Sequence, residues 1–218
     1  MRPPAAVIFD CDGVLVDSER LEPGTIAEAL TWIDGAAHID AVELHGRHRG
    51  GVLAAILAEV ELGTGSTLPD WFLPRYRELQ LRRLGAVEPV PGATEAVAAV
   101  VAAGLPRCVV SGGPMAKMEV SLRATGLWDS FAPHIFSCYD IGDHKPSPGI
   151  YLHALDRMAW PADEVTAIED SVHGVTAAAA AGVRVIGLAR DTTPDALLTA
   201  GAWETVPTMS AALALILP

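Results

Sequence analysis

Positive charge is scarce in this sequence. Lys and Arg total 15 against 27 Asp and Glu, and the formal net charge is -12. Sequence-independent binding to nucleic acid needs clustered Lys and Arg, so nucleic acid is set aside as a partner. For the same reason any anion-binding site has to be built locally. Cysteine is scarce too. Cys11, Cys108 and Cys138 are far apart, odd in number and form no CxxC pair. That pattern predicts reduced thiols in a cytoplasmic protein. Long apolar runs are missing. The Ala-rich stretches are interrupted by charge, Gly and Pro before they reach spanning length, so no membrane partner is expected. Nor does the start resemble a secretory leader, since Arg2-Pro3-Pro4 precedes an apolar run of only a few residues. The chain does have apolar bulk. Half of its 218 residues are hydrophobic and 19% are charged. That is enough to bury most of its apolar surface, as one domain with an insertion or as two small domains.

Short apolar runs read as buried strands at 6–9, 107–110, 134–136, 165–168 and 184–187. Between them lie amphipathic helical patterns near 93–103, 114–123, 148–158, 171–181 and 209–216. Gly104 and Gly182 sit where helix C-caps belong. Alternating strands and helices, with continuous apolar strands, predict an α/β fold: a doubly wound parallel sheet of Rossmann-like type. One interval breaks the rhythm. Residues 13–106 are far more than a single crossover needs. The segment 18–86 reads as helical near 19–33, 40–45, 50–62 and 70–84, with turns at Gly35, Gly46 and Gly63-Thr64-Gly65. It is expected to be an inserted α-helical cap domain, with 1–17 and 87–218 forming the catalytic core. Within it Trp71-Phe72-Leu73 are expected in the core, as is Trp128 outside it.

Open α/β sheets bind ligands at the carboxyl ends of their strands, so the residues that follow each strand carry the chemistry. The first strand runs into Asp10-Cys11-Asp12-Gly13. On a strand Asp10 and Asp12 start on one face, while Cys11 points away into the core. The fourth strand runs into Glu169-Asp170-Ser171. Four carboxylates at one edge repel one another and raise each other's pKa. A hard divalent cation removes that cost, and Mg²⁺ suits all-oxygen ligands. An EF-hand is excluded: Val14 and Leu15 occupy a required ligand position and the required Gly. Ser111 reads either as an N-cap, with Pro114 in the helix's first turn, or as a hydroxyl that grips a phosphate together with the Gly112 N–H. Lys145 reads either as a solvated loop residue or as an ammonium aimed by Pro146, with Ser147 and Pro148 as N-cap and first helical residue. Ser171 reads as an N-cap, and Gly174 as a close-packing position.

These residues, in this order, resemble the haloacid dehalogenase superfamily of phosphotransferases over essentially the whole chain. Asp10-Cys11-Asp12-Gly13-Val14-Leu15-Val16-Asp17-Ser18 is similar to its first motif, Ser111 to its second, Lys145 to its third and Glu169-Asp170 to its fourth. The helical insertion resembles the branch that contains β-phosphoglucomutases and sugar-phosphate phosphatases. Val109-Val110-Ser111-Gly112-Gly113-Pro114, Lys117-Met118, Ser121-Leu122 and Ser137-Cys138-Tyr139-Asp140-Ile141 are most similar to that branch's sugar-acid phosphatases. The resemblance implies that Asp10 is the nucleophile, forming an aspartyl phosphate, and that Asp12 is the acid–base. It implies that Ser111 and Lys145 hold the transferring phosphoryl oxygens. It implies Mg²⁺ bound by Asp10, the Asp12 carbonyl, Asp170 and Glu169, the last directly or through water. A halide leaving group would leave the second Asp and the metal cluster without a purpose.

Substrate selection is expected in the cap, at Leu44-His45-Gly46-Arg47-His48-Arg49-Gly50-Gly51. There Arg47, His48 and Arg49 are candidates to bind a second anionic group, the alternative being a solvated loop. Glu19 is a further substrate-side candidate. Glu22 stands where β-phosphoglucomutase has a histidine tied to its acid–base cycle, which counts against a mutase. The leading expectation is a Mg²⁺-dependent phosphatase acting on a small phosphorylated metabolite, a sugar phosphate or sugar-acid phosphate. The alternatives are a sugar phosphomutase and a non-catalytic binding module. The sequence does not fix the oligomeric state, and a monomer is the default.

Overall fold

A computed structural model describes residues 3–48 and 53–217. Arg49, Gly50 and Gly51 of the proposed selector loop lie outside the described residues. In chain order the elements are β1 (Ala6–Phe9), α1 (Glu22–Leu30), α2 (Ala41–Arg47), α3 (Leu53–Thr64), α4 (Phe72–Leu84), α5 (Ala93–Ala102), β2 (Arg107–Ser111), α6 (Met115–Ala124), α7 (Trp128–Phe131), β3 (Ile135–Ser137), α8 (Cys138–Ile141), α9 (Gly149–Met158), β4 (Val165–Glu169), α10 (Val172–Ala180), β5 (Arg184–Leu188), α11 (Pro194–Thr199), β6 (Glu204–Val206) and α12 (Met209–Ile216). The six strands form one sheet in the order β3-β2-β1-β4-β5-β6, and every pairing is parallel. From β1 the chain winds outward through β2 and β3, then returns to β4 and winds the other way. The reversal falls between β1 and β4, the crevice where doubly wound sheets bind ligands.

The strands are apolar on both sides because both faces are covered. Val7 and Phe9 join the cluster formed with α5, α6 and α12. Ala6 and Ile8 join the opposite cluster, with α9 and α10. In register, Ile8 lies between Cys108 and Ala167. Burying Val7, Ile8 and Phe9 contributes roughly 1.5–3 kcal/mol each. That total is comparable to the several kcal/mol it costs to desolvate one carboxylate. A four-residue strand can therefore hold Asp10 out of water at its end. All three thiols are buried and free. Burial pushes Cys11, Cys108 and Cys138 above the ordinary thiol value, which makes them poor nucleophiles.

The helices between β1 and α5 have their own apolar cluster, centred on Ile26, Leu44, Val60, Phe72 and Tyr76. The chain leaves and re-enters the sheet layer side by side. Val16 bridges Pro89, and the Asp17 N–H donates to the Glu88 carbonyl at 3.0 Å.

Several elements differ from the sequence expectation. The helix expected over 19–33 is a 3-10 turn, Ser18–Arg20, followed by α1. Pro23 has no N–H to donate to Glu19 and its ring would clash there, so the helix restarts around it. Pro114 is itself the N-cap of α6 and Ser111 ends β2, so Ser111 is not the cap. Likewise Pro148 is the N-cap of α9, and the Ser147 hydroxyl bonds Asp143 at 2.7 Å instead. Trp71 is exposed, because the inward stripe of α4 falls on Phe72, Tyr76 and Leu79. The elements α7, α8, α11 and β6 are short and were not anticipated. Among the described residues, no helix is long and apolar enough to cross a membrane.

Candidate active site

At the crevice between β1 and β4 a cavity of about 130 Å³ opens between the sheet edge and the helices of the insertion. Its floor is carried by strand ends. Asp10 follows β1, Ser111 closes β2, and Glu169 closes β4 with Asp170 after it. The loop between α8 and α9 brings Lys145, which is buried rather than solvated. Its Nζ lies 2.6 Å from Asp10 Oδ1 and 2.5 Å from Glu169 Oε1. Beneath them the Tyr151 hydroxyl donates to Glu169 Oε1 at 2.5 Å.

Asp10, Glu169 and Asp170 each offer an oxygen within 4.8 Å of the others. Burial and the Glu169 charge push the Asp10 carboxyl up to about 8, and Lys145 offsets only part of this. For Lys145 burial works to lower the value, but Asp10 and Glu169 outweigh it and hold the ammonium charged. Three carboxylates and one ammonium are thus crowded together on the floor. The donors are all oxygen, which is the set a hard divalent cation accepts. Two glycines keep this cluster open. A Cβ at Gly13, where φ is +79°, would lie 2.1 Å from Asp170 Oδ2. A Cβ at Gly174 would lie 2.0 Å from Glu169 Oε2. Ser171 caps α10, accepting from the Gly174 N–H at 3.0 Å, as the sequence predicts.

Asp12 belongs to a separate arrangement. Its carboxylate is not part of the three-acid cluster. Ser18 donates to its Oδ1 at 2.5 Å, and Lys117 Nζ lies 3.0 Å from the same oxygen. Burial acts to raise Asp12, but Lys117 and the Ser18 hydroxyl outweigh it and hold the carboxyl below its ordinary value. The chain contains two lysines, Lys117 and Lys145. Lys145 sits on Asp10 and Lys117 on Asp12. Ser111 Oγ accepts from the Gly113 N–H at 3.0 Å, and the Ser137 hydroxyl donates to the Gly113 carbonyl at 2.7 Å. The loop Gly112-Gly113-Pro114 is thereby held against the cavity it lines.

The cap-side residues are placed unevenly. Glu19 and His48 line the cavity with Asp10, whereas Arg47 does not. Arg47 Nη1 lies 2.6 Å from Glu43, and Nη2 contacts Glu59. The ring of His48 bonds Glu59 at 2.5 Å, and His45 lies 3.4 Å from Glu19. Glu22, at the start of α1, also lines the cavity. It accepts from the Tyr76 hydroxyl and from Gln80 Nε2, the latter at 2.9 Å. The residues that sequence reasoning assigned no role are Lys117, Ser18, Tyr151 and Arg77. Lys117 and Ser18 stand within quoted motif segments. Tyr151 and Arg77 carry no local signal, since only tertiary packing brings them here.

This geometry has counterparts. The 6-phosphogluconate phosphatase of Escherichia coli is 32% identical over 188 residues, which cover 85% of this chain and 83% of that protein. A solved haloacid dehalogenase-like protein from Agrobacterium tumefaciens superposes with a TM-score of 0.80 at 34% identity, covering 97% of both chains. A hydrolase of the same family from Deinococcus radiodurans, solved with bound phosphate and sodium, superposes with a TM-score of 0.79 at 28% identity, covering 99% of both chains. The profile of haloacid dehalogenase-like hydrolases matches residues 4–182, and the chain belongs to that family as an enzyme of the phosphatase type.

Proposed function

We propose that the protein is a Mg²⁺-dependent phosphatase that hydrolyses a small phosphorylated metabolite, a sugar phosphate or sugar-acid phosphate, through an aspartyl phosphate on Asp10. The observation that carries this reading is the division of labour between the two aspartates. Asp10 lies among Lys145, Glu169 and Asp170, while Asp12 is held apart by Lys117 and Ser18. That division supports a reading in which Asp10 attacks and Asp12 moves protons.

In the first step an Asp10 oxygen forms a bond to phosphorus as the ester P–O bond breaks. Asp12 gives its proton to the departing oxygen. In the second step water attacks the same phosphorus and the P–O bond to Asp10 breaks. Asp12 takes the proton from that water, which regenerates the Asp10 carboxylate and releases inorganic phosphate. The environment of Asp12 favours its carboxylate form, the form that accepts this proton. Lys145 and Ser111 hold phosphoryl oxygens, together with the Gly112 N–H. Asp10, Asp170, the Asp12 carbonyl and Glu169 would hold Mg²⁺, which when bound neutralises charge on the transferring group. Residues 18–86 act as a cap over a core made of 1–17 and 87–218, excluding bulk water from the aspartyl phosphate. A monomer suffices for this chemistry.

The test is release of free phosphate from a panel containing 6-phosphogluconate, hexose 6-phosphates, β-glucose 1-phosphate and 2-phosphoglycolate, with Mg²⁺ or with EDTA. The expected result is Mg²⁺-dependent release, strongest on one member. Interconversion of β-glucose 1-phosphate without net release, or no release by folded, metal-loaded protein, would overturn the reading.

A further inference from the structure

The basic side chains that line the cavity differ in what they have left to give. Lys145 is held between Asp10 and Glu169. Lys117 is on Asp12, His45 faces Glu19 and His48 is on Glu59. Arg77 also lines the cavity. Among the described residues it has no hydrogen-bond or ion-pair partner. It stands on α4 one turn before Gln80, so the two side chains share a helix face. Gln80 holds Glu22, and Glu22 acts electrostatically on Lys117. Polar side chains therefore line the wall from Asp12 and Lys117 at the reacting end, past Glu22 and Gln80, to the stretch that Arg77 occupies. Leu53 and Ile56 provide apolar cover on another side.

We propose that Arg77 sets substrate specificity by binding a second anionic group of the substrate, a carboxylate at the end remote from the phosphoryl group. This rests on the phosphatase reading above and narrows it to phosphorylated sugar acids. The chemistry favours a guanidinium here. Its planar donor fork matches a carboxylate with two parallel N–H···O bonds. The lining carboxylates Glu19 and Glu22 repel a second anion, so the site needs a cation not already bonded to an acid. Arg47 is bonded to Glu43 and Glu59 and does not line this cavity, so it does not supply one.

The test uses two ligands that differ at one carbon. Gluconate 6-phosphate carries a carboxylate at C1, where glucitol 6-phosphate carries a hydroxymethyl group. Binding is measured by calorimetry in the Asp10→Asn variant, which removes turnover, and again in wild-type protein with EDTA. The expected preference for the acid is about tenfold or more. Arg77→Gln should bring it within about twofold without weakening glucitol 6-phosphate, and Arg77→Lys should keep part of it. Equal affinity for the two ligands, a preference that survives Arg77→Gln, or equal weakening of both would overturn the assignment. Failure of folded, metal-loaded wild-type protein to release phosphate from any ester of the panel above would instead overturn the phosphatase reading, and the binding comparison would still decide the role of Arg77.

Discussion

On the sheet side of the cavity Lys145 is bonded to both Asp10 and Glu169, and the side chains of Asp10, Lys145 and Glu169 are 9%, 4% and 0% exposed. On the cap side Arg47 and Glu43 lie equally close, at 2.6 Å, but are 45% and 72% exposed. Nearly equal distances therefore have different consequences. The buried set cannot exchange its partners for water, so each member fixes the position and charge of the next. The exposed pair exchanges freely and is worth little to stability. The proposed nucleophile, Asp10, lies on the first kind of wall, and Arg47 on the second.

The widest separation between the two walls is expected in catalysis. Asp10→Asn keeps the size of the side chain and removes the nucleophile. Phosphate release should fall by about 10⁴-fold or more, with circular dichroism unchanged. A loss of only a few-fold would mean that another group attacks phosphorus.

The next effect is on stability and reads the raised carboxyl of Asp10. Asp10 is pushed from 3.8 up to about 8, so between those values the folded protein binds its proton more tightly than the unfolded chain. In EDTA, stability should therefore fall as pH rises from about 5 to 8. Lys145 is raised and keeps its proton across this window. The contribution of Asp12, whose value is lowered, is lost only at more acidic pH. Mg²⁺ at about 100 times its Kd should raise the melting temperature by roughly 5–10 °C at pH 8. A flat pH profile in EDTA, or no response to the cation, would remove the case for a metal site on Asp10, Glu169 and Asp170.

These two walls also differ in how legible they are. Asp10, Ser111 and Glu169-Asp170 stand at or beside the ends of apolar strands. A sequence shows such ends directly, and parallel pairing brings them to one edge. Lys145 was ambiguous, because nothing local says that a loop lysine is buried. Glu59 lies on α3, the helix after α2 in the chain, and no spacing rule connects it to Arg47 and His48. The selector reading therefore stopped at a cluster of cationic residues without seeing which were already engaged. Helix α11 had a signal that went unread, Thr193 as N-cap followed by Pro194. Strand β6 had none, being three residues long with one buried position.

A smaller effect on the buried side tests whether the support beneath the floor matters. Tyr151→Phe removes the hydroxyl that donates to Glu169 and leaves the ring in place. A buried acceptor deprived of a donor costs about 1–3 kcal/mol, to be read as a shift in the urea midpoint at unchanged slope. No shift would mean that Lys145 and the Ser171 hydroxyl satisfy Glu169 without it.

The smallest effect is expected at Arg47, and it is the one that separates proximity from participation. This guanidinium is close to the cavity in sequence, beside His48, and its charge suits a phosphorylated substrate. Its two carboxylates, Glu43 and Glu59, already engage it, and they hold it charged through hydrogen bonding to Glu59 above all. Recruiting it to a substrate would mean breaking both contacts and leaving two acids without their cation. Because the group is exposed, removing it exposes no buried charge. Arg47→Ala should therefore leave kcat/KM on the preferred phosphate ester within about twofold and the urea midpoint nearly unchanged. A fall of about tenfold or more with an unchanged midpoint would show that Arg47 leaves its partners during turnover. The exposed wall would then be the part that moves, and the buried wall the part that waits.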